Sequence, residues 1–184
     1  DLLKRTVGEQ ITLKFSHGEN LDNIKVDSVQ FLQVVMNLCI NAKDAMNGSG
    51  TLSISTYVKN LTQPYRFGED TITPGEFVVI AVTDTGCGIA PENLSRIFEP
   101  FFSTKQNVVG SGTGLGLSMV YGIIRQTGGF IEVTSELNVG TTFAIHLPRF
   151  EKHTDEENAD TDVYGTENFG GYFVKIGEPQ FEGQ

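Results

Sequence analysis

The sequence predicts an α+β fold, a two-layer sandwich in which a mixed, mostly antiparallel sheet carries helices on one face. Three observations predict it. "ITLKFS" at 11–16 and "TLSISTYV" at 51–58 alternate with a period of two, while "EFVVIAVTD" at 76–84 is almost continuously apolar, as a central strand is. The stretch from about Ser28 to Met46 repeats its apolar residues at helical spacing. "GGFIEVTSE" and "GTTFAIHLP" then close the patterned region as a hairpin pair.

The remaining elements follow in order. "HGENLDN" is a loop and "IKV" a short extended piece. Asp27 is placed to cap the long helix, which "NGSG" stops near Met46. Residues 59–75 are polar and carry Pro64, Gly68, Pro74 and Gly75, so they read as a loop or hairpin excursion. "PENLSRIF" is a short helix opened by Pro91. A Gly-rich stretch leads into a second helix from about Gly114 to Gln126. Patterning ends near residue 150. Residues 1–150 are therefore read as one domain and 151–184 as an acidic linker and tail.

Composition narrows the function. The 184 residues suffice for one domain with a sizeable core. A net charge of −10 argues against a nucleic-acid binder, which needs a basic footprint. No run of apolar residues is long enough to span a membrane. Cys39 lies in the long helix and Cys87 in a Gly-rich turn, a pattern that fits a reducing cytoplasm rather than a disulfide scaffold.

The long helix poses the chemical question. Gln30, Gln33, Asn37, Asn41 and Asp44 step by three or four residues and share one stripe, while most other positions are apolar. Lys and Glu are the usual residues of a solvated stripe. Amides and a carboxylate offer oxygen atoms without a cation, which suits a hard metal ion or a polar ligand; a solvated face is the plainer alternative.

Two Gly-bearing segments join it. In "DTGCGI", Asp84 ends a buried strand, where a carboxylate is costly without a donor, and Gly86 and Gly88 permit close backbone approach. The exocyclic amine of adenine is one such donor; a capped turn is the alternative. "GSGTGLGLS" places four glycines at the start of a helix, an anion cradle in the making. It is neither a Walker loop nor a dinucleotide fingerprint, since no GK[ST] follows and no βαβ unit encloses it. "VGTTF" adds Gly140 and Thr141 at a strand start.

Taken in order, "NLCINAKDA", "DTGCGI", "RIFEPFFSTK" and "GTGLGLS" resemble the N, G1, F and G2 boxes of the GHKL or Bergerat ATPase superfamily. The resemblance covers about Asp1 to Arg149. It is nearest the catalytic ATP-binding domain of bacterial sensor histidine kinases, of the nitrogen-regulator class and, more narrowly, the CckA-type hybrid kinases. It implies a Bergerat-type two-layer sandwich with a Gly-rich ATP lid. It implies ATP or ADP with Mg²⁺ as cofactors, with Asn41 as the metal ligand, Asn37 beside it in the catalytic site and Asp44 towards the adenosine. Asp84 would take the adenine amine, assisted by Thr141, with Gly86 and Gly88 admitting the base. Gly112, Thr113, Gly114, Leu115 and Gly116 would wrap the phosphates, with Lys105 and Arg96 as candidate cations and Phe98, Phe101 and Phe102 packing the lid.

Superfamily members that hydrolyse ATP place a Glu general base where this chain has Asn37. An amide cannot take that proton, so transfer to an external acceptor fits better than hydrolysis. The resemblance makes the acceptor a histidine. His17, His146 and His153 are the only histidines, and none lies in the helical setting such an acceptor needs. The expected partners are therefore a dimerising phosphoacceptor helical domain of the same protein and a response regulator or fused receiver, with cyclic diguanylate as a further possible ligand of the narrower family. The expected location is the cytoplasmic portion of a membrane-anchored kinase. A regulatory nucleotide-binding module and a GHKL serine kinase are the alternatives.

Overall fold

A computed structural model describes residues 2–19, 21, 23–103, 114–150 and 172–174. Helix α1 (Leu2–Val7) leads into β1 (Ile11–His17), β2 (Asn23–Val26) and the long helix α2 (Ser28–Ala45). Strand β3 (Gly50–Leu61), a small hairpin of β4 (Tyr65–Phe67) and β5 (Asp70–Ile72), and β6 (Gly75–Asp84) follow. Then come α3 (Pro91–Leu94), α4 (Gly116–Gln126), β7 (Phe130–Glu136), β8 (Gly140–Phe150) and β9 (Tyr172–Val174). The main sheet runs β1-β3-β6-β8, with β7 and β2 both paired to β8 and β9 paired to β2. Every pairing in it is antiparallel except β1 with β3. The predicted sandwich is the observed one.

Its elements form for readable reasons. Asp27 caps α2, its carboxylate accepting from the amides of Val29 and Gln30 at 2.9 Å each. The buried side of α2 presents Val34, Leu38, Cys39 and Ala42 to the sheet, and α4 adds Val120 and Ile124. They meet Leu52, Val78, Ile80, Val82, Phe143, Ile145 and Leu147, which all point to the same side of the sheet. Strand β6 is central, held by β3 on one edge and β8 on the other, which accounts for its unbroken apolar run.

The structure amends several expectations. α1 and the parallel β1–β3 pair were not foreseen, and β3 runs on to Leu61. The polar excursion is indeed a hairpin, fixed to α4 by a hydrogen bond from Arg125 to Asp70 and by Phe67 against Tyr121. His17 ends a strand rather than lying in a loop. α2 is less buried than its composition suggests: Val29, Leu32 and Ile40 are exposed. The short β9 falls within the expected tail.

Among the described residues, the face of the sheet away from the helices carries one buried titratable group. His146 is fully buried, stacked on Phe130 with ring centres 4.2 Å apart. Its Nε2 lies 2.9 Å from Glu132 Oε2, and Lys59 holds the same carboxylate oxygen at 2.8 Å. Burial pushes the imidazole down to about 4, against the pull of Glu132. An unfolded chain therefore takes up this proton before the folded one does, so stability is lost as pH falls from about 6.5 towards 4. Urea titrations across that window are expected to show a falling midpoint, and His146→Phe to flatten the fall. An unchanged pH slope in the variant would exclude His146 as its source.

Candidate functional site

The site begins where β6 ends. Asp84 lies on the helix-facing side of the sheet, opposite Leu52 of β3 and Thr141 of β8. It is 5% exposed. Burial raises its pKa above the usual carboxylate value, and hydrogen bonds from the backbone amides of Gly86 and Thr141 restrain the rise. The Gly86 amide donates to Oδ1 at 2.8 Å. A carboxylate oxygen with lone pairs to spare is thus held at the floor of a cavity.

That cavity is a cleft of about 510 Å³, of the size that holds small-molecule ligands. Asp84 and Thr141 form its floor, and Asn37, Asn41 and Asp44 of α2 form one wall. Gly88 and Ile89 flank the floor, and Gly114 and Gly116 stand at the start of α4. Residues predicted from four separated segments therefore meet at one place. Gln30 and Gln33, further along the same helical stripe, are exposed and do not line it. The amide stripe divides into a cleft-facing half and a solvated half.

The two amides differ in their bonding. Asn37 Nδ2 donates to the Gly116 carbonyl at 3.4 Å, tying α2 to α4. Asn41 Nδ2 is buried and has no hydrogen-bond partner. An unmatched buried amide is costly unless a ligand completes it. Asp44 sits at the exposed rim.

The glycines have structural duties beyond the expected one. A Cβ on Gly86 would lie 2.7 Å from backbone carbon of Ala45, so its bareness lets the loop dock on the end of α2. Gly86 does not line the cleft. Gly88 lines it, but with φ +71° and a hypothetical Cβ 2.1 Å from the Glu136 carbonyl, its freedom serves packing against the β7–β8 turn. The Cys87 amide donates to Ala45 O and the Asn138 amide to Cys87 O, which pins this loop from both sides.

The lid region is described only at its ends. Lys105, Gly112 and Thr113 lie outside the described residues. Gly114 has φ +70°, accepts from the Phe101 amide at 3.0 Å and abuts Phe101 backbone, so the two stems of the segment between them are joined. Leu115 does not line the cleft; its carbonyl accepts from the Met119 amide and the Ser118 hydroxyl in the first turn of α4. Arg96 is engaged elsewhere, with Glu99 at 3.1 Å and over the Phe102 ring. Phe98 packs on Tyr121 and Phe101 is exposed, but Phe102 lines the cleft, a contact not foreseen. Ile40, Ile89 and Leu117 were also missed as wall residues. Apolar residues carry no signal that separates a pocket wall from ordinary core.

Comparison with known proteins identifies the family. Residues 26–151 match the model of the histidine kinase-, DNA gyrase B- and HSP90-like ATPases. The chain belongs to that family. It is 49% identical over 157 residues to the sensor kinase CckA of Brucella abortus, covering 84% of this chain and 16% of that protein. The fold superposes on the catalytic domain of the histidine kinase ThkA with a TM-score of 0.58 at 28% identity, over 79% of this chain and 84% of the other. It also superposes on full-length ShkA in complex with AMPPNP, with a TM-score of 0.59 at 26% identity, over 80% of this chain and 28% of the other. The chain thus spans a small part of CckA and nearly all of an isolated histidine kinase catalytic domain. The ATP-binding character of the family is the function that the cleft supports.

Asp84→Asn tests the floor. The amide removes a charge that burial disfavours, so the free protein is expected to be at least as stable at neutral pH. ADP affinity is expected to fall by roughly 2–4 kcal/mol, the cost of mismatching a charged hydrogen bond. Melting curves and calorimetry separate the two effects; undiminished ADP affinity would remove Asp84 from the site.

Proposed function

We propose that this chain is the catalytic domain of a sensor histidine kinase that binds Mg-ATP and donates the γ-phosphate to a histidine on a separate helical dimerisation domain. One observation carries the reading: across a single cleft, a buried acceptor-only carboxylate faces two helix amides, with Asn37 where a hydrolase needs a base. Asp84 reads the adenine amine, and Thr141 assists beside it. Asp44 lies towards the adenosine at the rim. Asn37 and Asn41 face the phosphates, and Gly114 and Gly116 begin the helix whose amides meet them. Lys105, Gly112, Thr113 and Leu115 belong to the lid in this reading.

The residues present fit a magnesium ion. Asn41 lines the cleft, and its amide oxygen is a suitable hard ligand, while its buried, unmatched nitrogen could donate to a phosphate oxygen beside the ion. No cluster of three acidic, His or Cys ligands occurs among the described residues, so such an ion would be shared with phosphate oxygens and water. Bound magnesium would neutralise charge on the transferring phosphoryl group. The protein's share is positioning: Asn37 fastens α4 to α2 at the phosphate end and leaves no general base for water.

The acceptor lies on another domain in this reading. His17 ends β1, His146 is buried in β8 and unable to reach a phosphate, and His153 lies outside the described residues. The proposed partners are a phosphoacceptor helical domain and a response regulator or receiver. The domain is proposed to span 1–150, followed by a tail. Nucleic acid is not a partner of so acidic a chain. Cyclic diguanylate has no support in the described site or the relatives' names. The supply of ATP places the domain in the cytoplasm; among the described residues no helix is long and apolar enough to cross a membrane.

Asn41→Ala is expected to weaken Mg-ATP binding about tenfold or more, with a smaller effect on metal-free ADP, because only the former uses the amide as a ligand. Equal losses in calorimetry would exclude a metal role. The chain alone is expected neither to label itself from γ-labelled ATP nor to hydrolyse it appreciably. Mixed with its cognate helical domain it is expected to label that domain slowly, since a linker's effective concentration on the order of millimolar is absent. The label should be acid-labile and alkali-stable. Hydrolysis indifferent to the acceptor domain, or an acid-stable label, would overturn the kinase reading.

A further inference from the structure

Ser135, near the end of β7, has three hydrogen-bonding relations beside the cleft floor. Its Oγ accepts from the Ile89 amide at 2.8 Å. It lies 3.1 Å from the Gly140 carbonyl and 2.8 Å from Thr141 Oγ1. A serine hydroxyl has one proton and two acceptor sites. The Gly140 carbonyl and the Ile89 amide fix two of these three roles: the first can only accept and the second can only donate. The one remaining role is to accept, and the only donor left for it is the Thr141 hydroxyl.

The consequence falls on Thr141, which is 4% exposed, lines the cleft and pairs with Asp84 across the sheet. With its proton committed to Ser135, Thr141 shows the cleft only lone pairs. Asp84, when ionised, also shows only lone pairs. We propose that Ser135 is a specificity-determining positioning residue: by holding the Thr141 proton it makes the floor of the cleft a corner of acceptors, which favours a purine bearing an amino group over one bearing a carbonyl group. This deepens the adenine-nucleotide reading above and rests on it.

The position is built to hold this arrangement. Ser135 shares the inward face of β7 with Ile131 and Val133, so a polar residue there stands on a face that is otherwise apolar. Gly140 has φ +145°, and a Cβ there would lie 2.0 Å from the Asp84 carbonyl, so the backbone that receives the Ser135 proton is pressed against the Asp84 strand. The same hydroxyl holds the amide of Ile89, whose side chain flanks the floor. One side chain thereby couples three segments around the base-reading corner.

Removing the Ser135 hydroxyl frees the Thr141 proton to turn into the cleft and donate to a carbonyl. The experiment measures ADP and IDP binding by calorimetry for the present chain and for Ser135→Ala, Ser135→Thr and Thr141→Val, and for Ser135→Ala combined with Thr141→Val. The expected result is that Ser135→Ala lowers the ADP-to-IDP affinity ratio about tenfold, partly by strengthening IDP, while Ser135→Thr restores most of it. In the Thr141→Val background, Ser135→Ala is expected to change the ratio no further, because its effect passes through Thr141. A merely structural role would weaken both nucleotides alike and leave the ratio unmoved, which would overturn the inference. A parent chain that binds IDP as tightly as ADP would overturn the adenine reading and this inference with it. Discrimination in the parent that survives intact in Ser135→Ala would overturn this inference alone.

Discussion

The buried carboxylate of Asp84 is the constraint around which the site is arranged. An ionised group at 5% exposure is costly, and the chain spends two backbone amides, from Gly86 and Thr141, on holding it. Those amides occupy part of its capacity and leave the rest for a ligand. Holding it there requires β6 to end at that point, with β3 and β8 in register on either side. It also requires the chain to turn away at once, which Gly86 allows by lying against the end of α2. The register of the central strands, the docking of α2 and the position of the ligand corner are consequently one problem with one solution.

The same economy governs the phosphate end. α2 and α4 meet where Asn37 donates to the Gly116 carbonyl, which joins the amide wall to the helix start. Phe101 and Gly114, both with positive φ, join the stems of the intervening segment through a backbone hydrogen bond. That junction sits directly before the first turn of α4, which lines the cleft.

Function and stability pull in different directions at this site. Asp84 and the unmatched amide of Asn41 are both less favourable in the free protein than apolar or fully bonded residues would be. On the opposite face of the sheet, His146 is buried without ligand-facing access and bears on stability alone. Two buried titratable residues on neighbouring strands thus have unlike roles, and which face each side chain takes decides between them.

Sequence by itself determined the layers, the long capped helix, the apolar central strand and a set of polar residues that line one cleft. These are legible because period, caps and glycines act locally. Asn37, Asn41, Asp84 and Thr141 could be named from their segments, since a polar residue in an apolar setting is a local anomaly. Only the tertiary structure decided what each glycine is for: Gly86 and Gly88 face backbone of Ala45 and Glu136, neighbours set by strand order and helix docking. It alone placed Phe102 in the cleft and Arg96 out of it, because an aromatic or a cation has many equivalent surroundings until the chain is packed. Helix α1, at six residues, is too short for a period to show, and the parallel pairing of β1 with β3 is a long-range choice that no local pattern encodes. Ser135 lay between these cases. Its polarity on the inward face of β7 was visible in the alternation of Ile131, Val133 and Ser135, but its three partners come from two separate turns, and a hydroxyl's direction is fixed only when all of them are present.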